Sequence, residues 1–207
     1  MTERVVTAYT DFKSPYAYLA KDLTYALEQA YRVRIDWQPY ILDIPSYLGS
    51  AKVDDRGNVL EEERNAHQWR RVRYSYMDCR RQARKRGLTI RGTRKIWDST
   101  LAAAGMLVAK SVGDTALRAY MDRVFEQFWR HALDIEDVEA LSALLRELGA
   151  TGDLPARLEA ERAEVRKIAT EAESIGVFGV PSFVVDGEIF WGREHLPDIE
   201  AMLTPRG

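Results

Sequence analysis

Apolar and polar residues follow two different rhythms along this chain, and the places where the rhythm changes mark its organisation. Val5-Val6-Thr7-Ala8-Tyr9-Thr10 is a short run rich in β-branched residues and predicts a buried strand. Ser14 then offers an N-cap, and Pro15 a first helical residue whose missing N–H costs nothing there. Leu19, Leu23 and Leu27 recur at helical spacing, flanked by Tyr16, Ala26 and Ala30, so a helix is expected to end near Tyr31. Val33 to Trp37 alternates apolar with polar residues and predicts a second strand, closed by Pro39. A strand, a crossover helix and a strand in that order favour a parallel pair.

From about Glu62 to Gly176 the period is helical, broken by Gly87, Gly92, Gly113 and the stretch from Gly149 to Gly152. Trp69, Val72, Tyr76 and Ala83 share one face of a first helix. Asp98 or Ser99 caps a short alanine-rich helix that stops before Gly113. Asp114 is expected to cap the next, with Leu117, Tyr120, Met121, Val124, Phe128 and Ala132 facing inward. Asp134 is expected to cap another, whose stripe is Val138, Leu141, Leu144, Leu145 and Leu148, with Gly149 as its stop. Pro155 opens a last, charge-rich helix reaching about Ser174. Ser182 to Val185 and Glu188 to Trp191 then flank Asp186-Gly187 and read as a hairpin with a two-residue turn. A short terminal helix carries Leu196, Ile199 and Leu203. The order is βαβ, a helical block, then ββα. It implies an α/β fold in which 1–61 and 176–207 form one domain and 62–175 an inserted helical domain.

Composition narrows the classes of function. A chain of 207 residues with 46% hydrophobic residues can bury a substantial core. Thirty basic against 32 acidic residues give a net charge of −2, so no global charge argues for a nucleic-acid partner. Met1-Thr2-Glu3-Arg4 runs straight into the first strand with no apolar leader, so no secretory signal is expected. No apolar run approaches the roughly 18 residues of a membrane helix. With Cys79 as the single cysteine, an intramolecular disulfide and a dithiol redox cycle are excluded, and the cytoplasm is the expected compartment. His67, His131 and His195 are dispersed without metal-ligand spacing, so no metal is expected. Residues 64–95 hold twelve basic side chains and one acid, Asp78. They read as a solvated helix face balanced by the acidic stretch from Asp134 to Glu173 rather than as a nucleic-acid or anionic-substrate site, since no recognition fold accompanies them, with a local role in drawing in a carboxylate substrate left open. Cys79 beside Arg80 and Arg81 reads as a partly buried small side chain rather than a nucleophile.

Two separated motifs carry the chemistry. Ser14-Pro15-Tyr16-Ala17 stands after the first strand, where a thioredoxin-type redox protein has Cys-Pro-x-Cys. Both sulfur positions are replaced, and a hydroxyl at a helix start can hold a thiolate without forming a disulfide. Gly176-Val177-Phe178-Gly179-Val180-Pro181-Ser182-Phe183 puts a proline at the start of a strand. A cis Val180–Pro181 bond there would leave the Val180 N–H and C=O to pair with an extended peptide.

Together with Phe190-Trp191-Gly192-Arg193-Glu194-His195-Leu196, these motifs resemble the thioredoxin superfamily in its DsbA-like form. More narrowly the chain is similar to the kappa-class glutathione transferases and the 2-hydroxychromene-2-carboxylate isomerases, over essentially its whole length. The resemblance implies glutathione as cofactor, its cysteine backbone paired with Val180 before Pro181 and its sulfur held by the Ser14 hydroxyl. It implies a loop for the γ-glutamyl end at Gly192-Arg193-Glu194, where relatives commonly have Gly-Asn-Asp or Gly-Ser-Asp. Glu194 keeps the carboxylate for the ammonium, and Arg193 can pair with the γ-glutamyl carboxylate. Lys13 stands where an apolar residue is usual, and is read either as a partner of the glycyl carboxylate or as pointing to solvent. Tyr16 and Trp97 are the candidates for contact with a small aromatic or carboxylate substrate. The implied activity is a thiolate-assisted isomerisation of an unsaturated aromatic-derived acid, with no net redox change. A conjugating transferase and a non-catalytic peptide-binding module stand as alternatives, and a homodimer is implied by the relatives.

Overall fold

Val5–Thr10 forms β1, Pro15–Tyr31 α1 and Arg34–Pro39 β2. The computed structural model describes residues 4–54, 56–150 and 153–204. β1 and β2 pair in parallel from Val5 opposite Arg34 to Thr10 opposite Pro39, the geometry a crossover helix permits. Ser182–Val185 is β5 and Glu188–Trp191 is β6. β5 runs antiparallel to β1, with Tyr9 opposite Ser182 and Val6 opposite Val185. The hairpin from β5 to β6 turns at Asp186 and Gly187, both at positive φ (50° and 85°), as a type I′ turn requires. The mixed sheet therefore has the order β2-β1-β5-β6. Leu196–Leu203 closes the chain as the last helix, α8.

The chain divides into two units, one made of residues up to Leu42 and from Ala163 onward, the other of Asp43–Arg162. In the first, Val6, Ala8, Leu19 and Ile199 are wholly buried. Leu23, at helical spacing between the buried Leu19 and Leu27, is instead 41% exposed.

The second unit holds Ile44–Leu48 (α2), Ala51–Val53 (β3), Val59–Glu62 (β4), Ala66–Lys85 (α3), Thr100–Val112 (α4), Asp114–Trp129 (α5) and Val138–Glu147 (α6). Helix α7 runs from Leu154 to Ser174. The antiparallel hairpin β3–β4 was not foreseen, since all four residues of β4 are exposed and carry no alternation. Asn65 and Gln68 close a reciprocal capping box at the start of α3. Cys79 on that helix is completely buried, more so than its sequence context implied. Tyr120 is buried on α5, and its hydroxyl donates to the Ala102 carbonyl of α4 at 2.9 Å. Burial pushes that phenol far above its ordinary pKa, so it stays a donor.

Three expected helix details are corrected. Gly113, not Asp114, is the N-cap of α5, and Asp114 is the first residue inside it. Ala132 lies beyond the end of α5, because His131 takes a left-handed backbone (φ 61°), and it is exposed. The cap of α6 is Asp137, whose carboxylate accepts from the N–H groups of Glu139 and Ala140 at 2.9 and 3.2 Å. Asp134 instead accepts from Glu136 N–H at 2.8 Å and shapes the turn before it. Among the described residues no helix is long and apolar enough to cross a membrane.

Candidate functional site

The C-terminal end of β1 and the start of β5 meet at one end of the sheet, because the two strands are antiparallel neighbours. Chain direction thus brings residues 10–14 and 180–182 to the same edge, although they lie far apart in sequence. Ser14 is the N-cap of α1, in extended backbone, and its Oγ accepts from the Ala17 N–H at 3.2 Å. The hydroxyl proton has no acceptor among the described residues. The first turn of α1 contains no acidic side chain, so nothing there offsets the positive field of the helix start. Ser14 is buried, a setting in which a donor interacts more strongly with charge.

Lys13 does not point to solvent. Its side chain is only 6% exposed, and its ammonium lies 3.5 Å from Oδ2 of Asp11, whose side chain is wholly buried. The Asp11 carboxylate also accepts from the Lys13 N–H at 3.1 Å and from the Leu42 N–H at 2.8 Å. The backbone carbonyl of Asp11 accepts from Ser14 N–H at 3.0 Å. Asp11 thereby fixes the turn that presents Ser14, a role sequence reasoning missed. Its only signal is an acid three residues before the cap. Beside it, the Thr10 hydroxyl is buried with no partner among the described residues, while the Thr10 carbonyl accepts from Tyr40 N–H at 2.9 Å. Burial, and then the carboxylate of Glu173 that its hydroxyl meets at 3.3 Å, raises the pKa of Tyr40.

On the other side of this edge the Val180–Pro181 bond is cis. Neither the N–H nor the carbonyl of Val180 is hydrogen-bonded to a described residue. The turn is held from both flanks, by Ser182 Oγ donating to the Gly179 carbonyl at 2.7 Å and by Gly192 N–H donating to the Pro181 carbonyl at 2.9 Å. That last bond draws the 3₁₀ turn Arg193–His195 against the proline loop. Gly192 takes a left-handed φ of 107°, and the Glu194 carboxylate folds over its Cα, where any side chain would collide with it. Val180, Pro181, Gly192 and Glu194 are thus brought together, with Arg193 half-buried between the last two. Sequence reasoning also overlooked an aromatic pair on this loop. Phe178 and Trp191 are 63% and 52% exposed, with ring centroids 4.8 Å apart. Trp191 crosses Gly179 so closely that an added Cβ would meet its Nε1 at 2.8 Å.

Of the two substrate candidates, Tyr16 lies half-buried in the first turn of α1. Trp97 belongs to the second unit, where its ring meets Phe128 edge-on at 5.7 Å and carries the Lys95 ammonium at 4.4 Å from its centroid. Among the described residues no group of three or more histidine, cysteine or acidic side chains could hold a metal ion.

Comparison with known proteins gives this arrangement a setting. Residues 5–204 match the family model described as a DSBA-like thioredoxin domain. The 2-hydroxychromene-2-carboxylate isomerase of Sphingobium xenophagum is 29% identical over 97% of this chain and 98% of its own. A solved 2-hydroxychromene-2-carboxylate isomerase superposes with a TM-score of 0.71 at 23% identity, covering 96% of this chain and 94% of that one. The cytosolic disulfide reductase DsbM of Pseudomonas aeruginosa, solved with GSH, gives 0.61 at 17% identity and 96% of each chain. The two structures share the fold with this chain.

Proposed function

The chain belongs to the DSBA-like thioredoxin family, and on that premise we propose that it is a glutathione-dependent isomerase of the 2-hydroxychromene-2-carboxylate type. Its named relative across the whole length is an isomerase, and the chain is an enzyme by the same kinship. The observation that carries the reading is the meeting, at one sheet end, of a hydroxyl donor and a peptide unit that have no partner among the described residues. Ser14 supplies the first and Val180 the second.

The residues suit a cysteine-containing tripeptide. Val180 can pair through its N–H and C=O with an extended main chain, as in strand addition. The Glu194 carboxylate, exposed above Gly192, can take an ammonium group, and Arg193 a carboxylate. The orphaned Thr10 hydroxyl adds a buried polar atom at the same edge. Glutathione, when bound, supplies the nucleophilic thiolate that a chain with one fully buried cysteine lacks.

The chain's part is to hold negative charge at that point. A free thiol with a pKa near ~8.5 is mostly protonated at neutral pH. A charge-assisted bond from the Ser14 hydroxyl and the field of the α1 start contribute roughly 1–2 kcal/mol each, and about 1.4 kcal/mol is one pKa unit. Ser14 acts as a donor rather than as a covalent nucleophile. The substrate class that follows is an unsaturated, aromatic-derived acid, isomerised without consumption of the tripeptide. Calorimetry with glutathione at millimolar concentration tests the reading first, and the absence of heat sinks it. Turnover on such an acid with full recovery of glutathione is the expected second result, and accumulation of a glutathione adduct would assign the chain to the conjugating transferases instead.

A further inference from the structure

The four-stranded sheet ends in two edges of opposite character. The β2 edge carries Arg34 and Asp36, an ion pair at 3.6 Å, with Gln38 donating to Asp36 at 2.8 Å and Pro39 closing the strand. Charge and proline are the usual devices that stop a sheet from adding a further strand. The β6 edge is built differently. Its residues are Glu188, Ile189, Phe190 and Trp191, and the single charge stands at the hairpin turn.

Hydrogen-bond parity fixes which main-chain groups of β6 face outward. Gly192 N–H donates to the Pro181 carbonyl at 2.9 Å, and residues 181 and 192 continue the β5–β6 register. Hydrogen-bonded pairs alternate along an antiparallel ladder, so Phe183 with Phe190 and Val185 with Glu188 are the next ones. The N–H and C=O of Ile189 and Trp191 therefore turn away from β5, and they bond to no other described residue. The side chains around this edge are apolar and open. Ile175, Phe178 and Trp191 are each more than half exposed. The Phe178 ring leans on that of Trp191, and the loop backbone at Gly176 and Gly179 lies against Ile189 and Trp191. An open edge flanked by a contiguous apolar patch is a surface that folded proteins cover or pair.

We propose that the β6 edge pairs with the β6 edge of a second copy of this chain, antiparallel and two-fold symmetric about Phe190. Self-complementarity selects a copy of the chain as the occupant. With Phe190 opposite Phe190, Ile189 of each copy faces Trp191 of the other as a hydrogen-bonded pair, which gives four main-chain bonds across the axis. The same register packs Trp191 against Ile189 on the face that carries Phe178, an aromatic–β-branched pair on each side of the axis. Glu188 falls opposite Gly192, which has no side chain, and far from Glu188 of the other copy, so no like charges meet along the strand. Two-fold symmetry uses every contact twice, which offsets the shortness of a four-residue strand. The assignment does not rest on the glutathione reading, and the two fail separately.

Sedimentation velocity from micromolar to submillimolar concentration tests it, with thermal unfolding to verify each variant's fold. A dimer is expected. Proline is tolerated at an edge position whose N–H faces outward. Ile189→Pro should therefore keep the fold and weaken the dimer by about tenfold or more, since two of the four bonds lose their donor. Phe178→Glu, which sets a charge into the patch, should also weaken it, whereas Leu23→Glu, at an exposed apolar position on α1, should not. Facing residues of a non-hydrogen-bonded pair approach to about 4.5 Å between Cα atoms. Air oxidation should accordingly link Phe190→Cys into a disulfide dimer and leave Glu188→Cys unlinked, with the native Cys79 buried and out of reach. A monomer at every concentration overturns the proposal, and so does a dimer that neither Ile189→Pro nor Phe178→Glu weakens. Linking of Glu188→Cys in place of Phe190→Cys overturns the register. A monomer that takes up an extended, alternating peptide overturns the proposal in favour of a foreign strand.

Discussion

Two groups of charge in this molecule are built on opposite terms. Beneath Ser14 the buried Lys13 ammonium faces the buried Asp11 carboxylate, which also holds two backbone N–H groups. In the second unit Arg73 and Arg91 line a cleft whose rim carboxylate, Asp54, is already engaged in a turn. Charge closed on itself serves as scaffold, because the carboxylate holds both the ammonium and two backbone N–H groups inside the chain. Charge left open, as at the exposed Arg73 and Arg91, is met by water instead. The candidate chemistry of the first unit accordingly rests on neutral groups, the Ser14 hydroxyl and the Val180 peptide, set upon a closed pair.

The scaffold side of this contrast predicts the largest effect. Asp11→Ala strips the acceptor from the Leu42 and Lys13 N–H groups and leaves a buried ammonium without its partner. Such a loss typically costs about 3–5 kcal/mol of stability. Lys13→Met leaves the carboxylate with its two backbone donors and should cost less than half as much. Denaturant unfolding of both variants checks this. Equal losses would mean that Asp11 and Lys13 matter only as a pair, and the distinction between a fixed turn and a neutralised charge would fall.

Ser14 tests the chemistry built above that scaffold. Ser14→Ala removes both the Ala17 N–H acceptor and the candidate thiolate donor. The cap accounts for about 1 kcal/mol of stability. The donor is worth on the order of 10²-fold in kcat/KM, by analogy with other donors aimed at developing negative charge. Ser14→Asp separates the two, since it restores the cap but places a carboxylate against the bound sulfur. Stability should recover while activity stays low, and recovery of both would remove Ser14 from the chemistry.

How far the sequence announced these features depends on whether each was local. The β-branched run of β1, the Ser14-Pro15 start of α1 and the Asp186-Gly187 turn each declare themselves within a few residues, and each is found where the pattern puts it. The arrangement of Ser14 with Val180 followed once the two ends of the chain were read as neighbouring strands. Of the two readings of Lys13, the solvent-facing one fails because its contact depends on how Asp11 turns back, which spacing does not encode. The basic run of α3 was visible as composition. Its concavity comes from the β3–β4 hairpin, too short and too exposed to leave a period, and from the segment near Arg94 that the hairpin clasps.

A carboxylate doing the work of Asp11 in the open gives a smaller effect. Asp137 accepts two backbone N–H groups at the start of α6, but it is exposed and water can replace it. Asp137→Ala should cost about 1 kcal/mol, the usual value of a side-chain N-cap. Asp134→Ala removes a single turn contact and should cost less. If thermal unfolding ranked Asp134 above Asp137, the cap assigned by the structure would be wrong.

The smallest effect probes the open charge of the second unit. His131 has its pKa lowered in the folded protein, by burial first and then by Arg94 and Arg91. The unfolded chain, with an ordinary imidazole near ~6.5, therefore binds more protons than the folded one in the window below that value. The stability contribution is complete above the unfolded pKa and is lost as pH falls through the folded one. His131 is exposed in part, so the loss should be small. His131→Asn suits the left-handed backbone at this position and removes the titration, so it should flatten the pH dependence of unfolding in that window. If the variant kept the full pH dependence of unfolding, the slope in that window would not belong to His131.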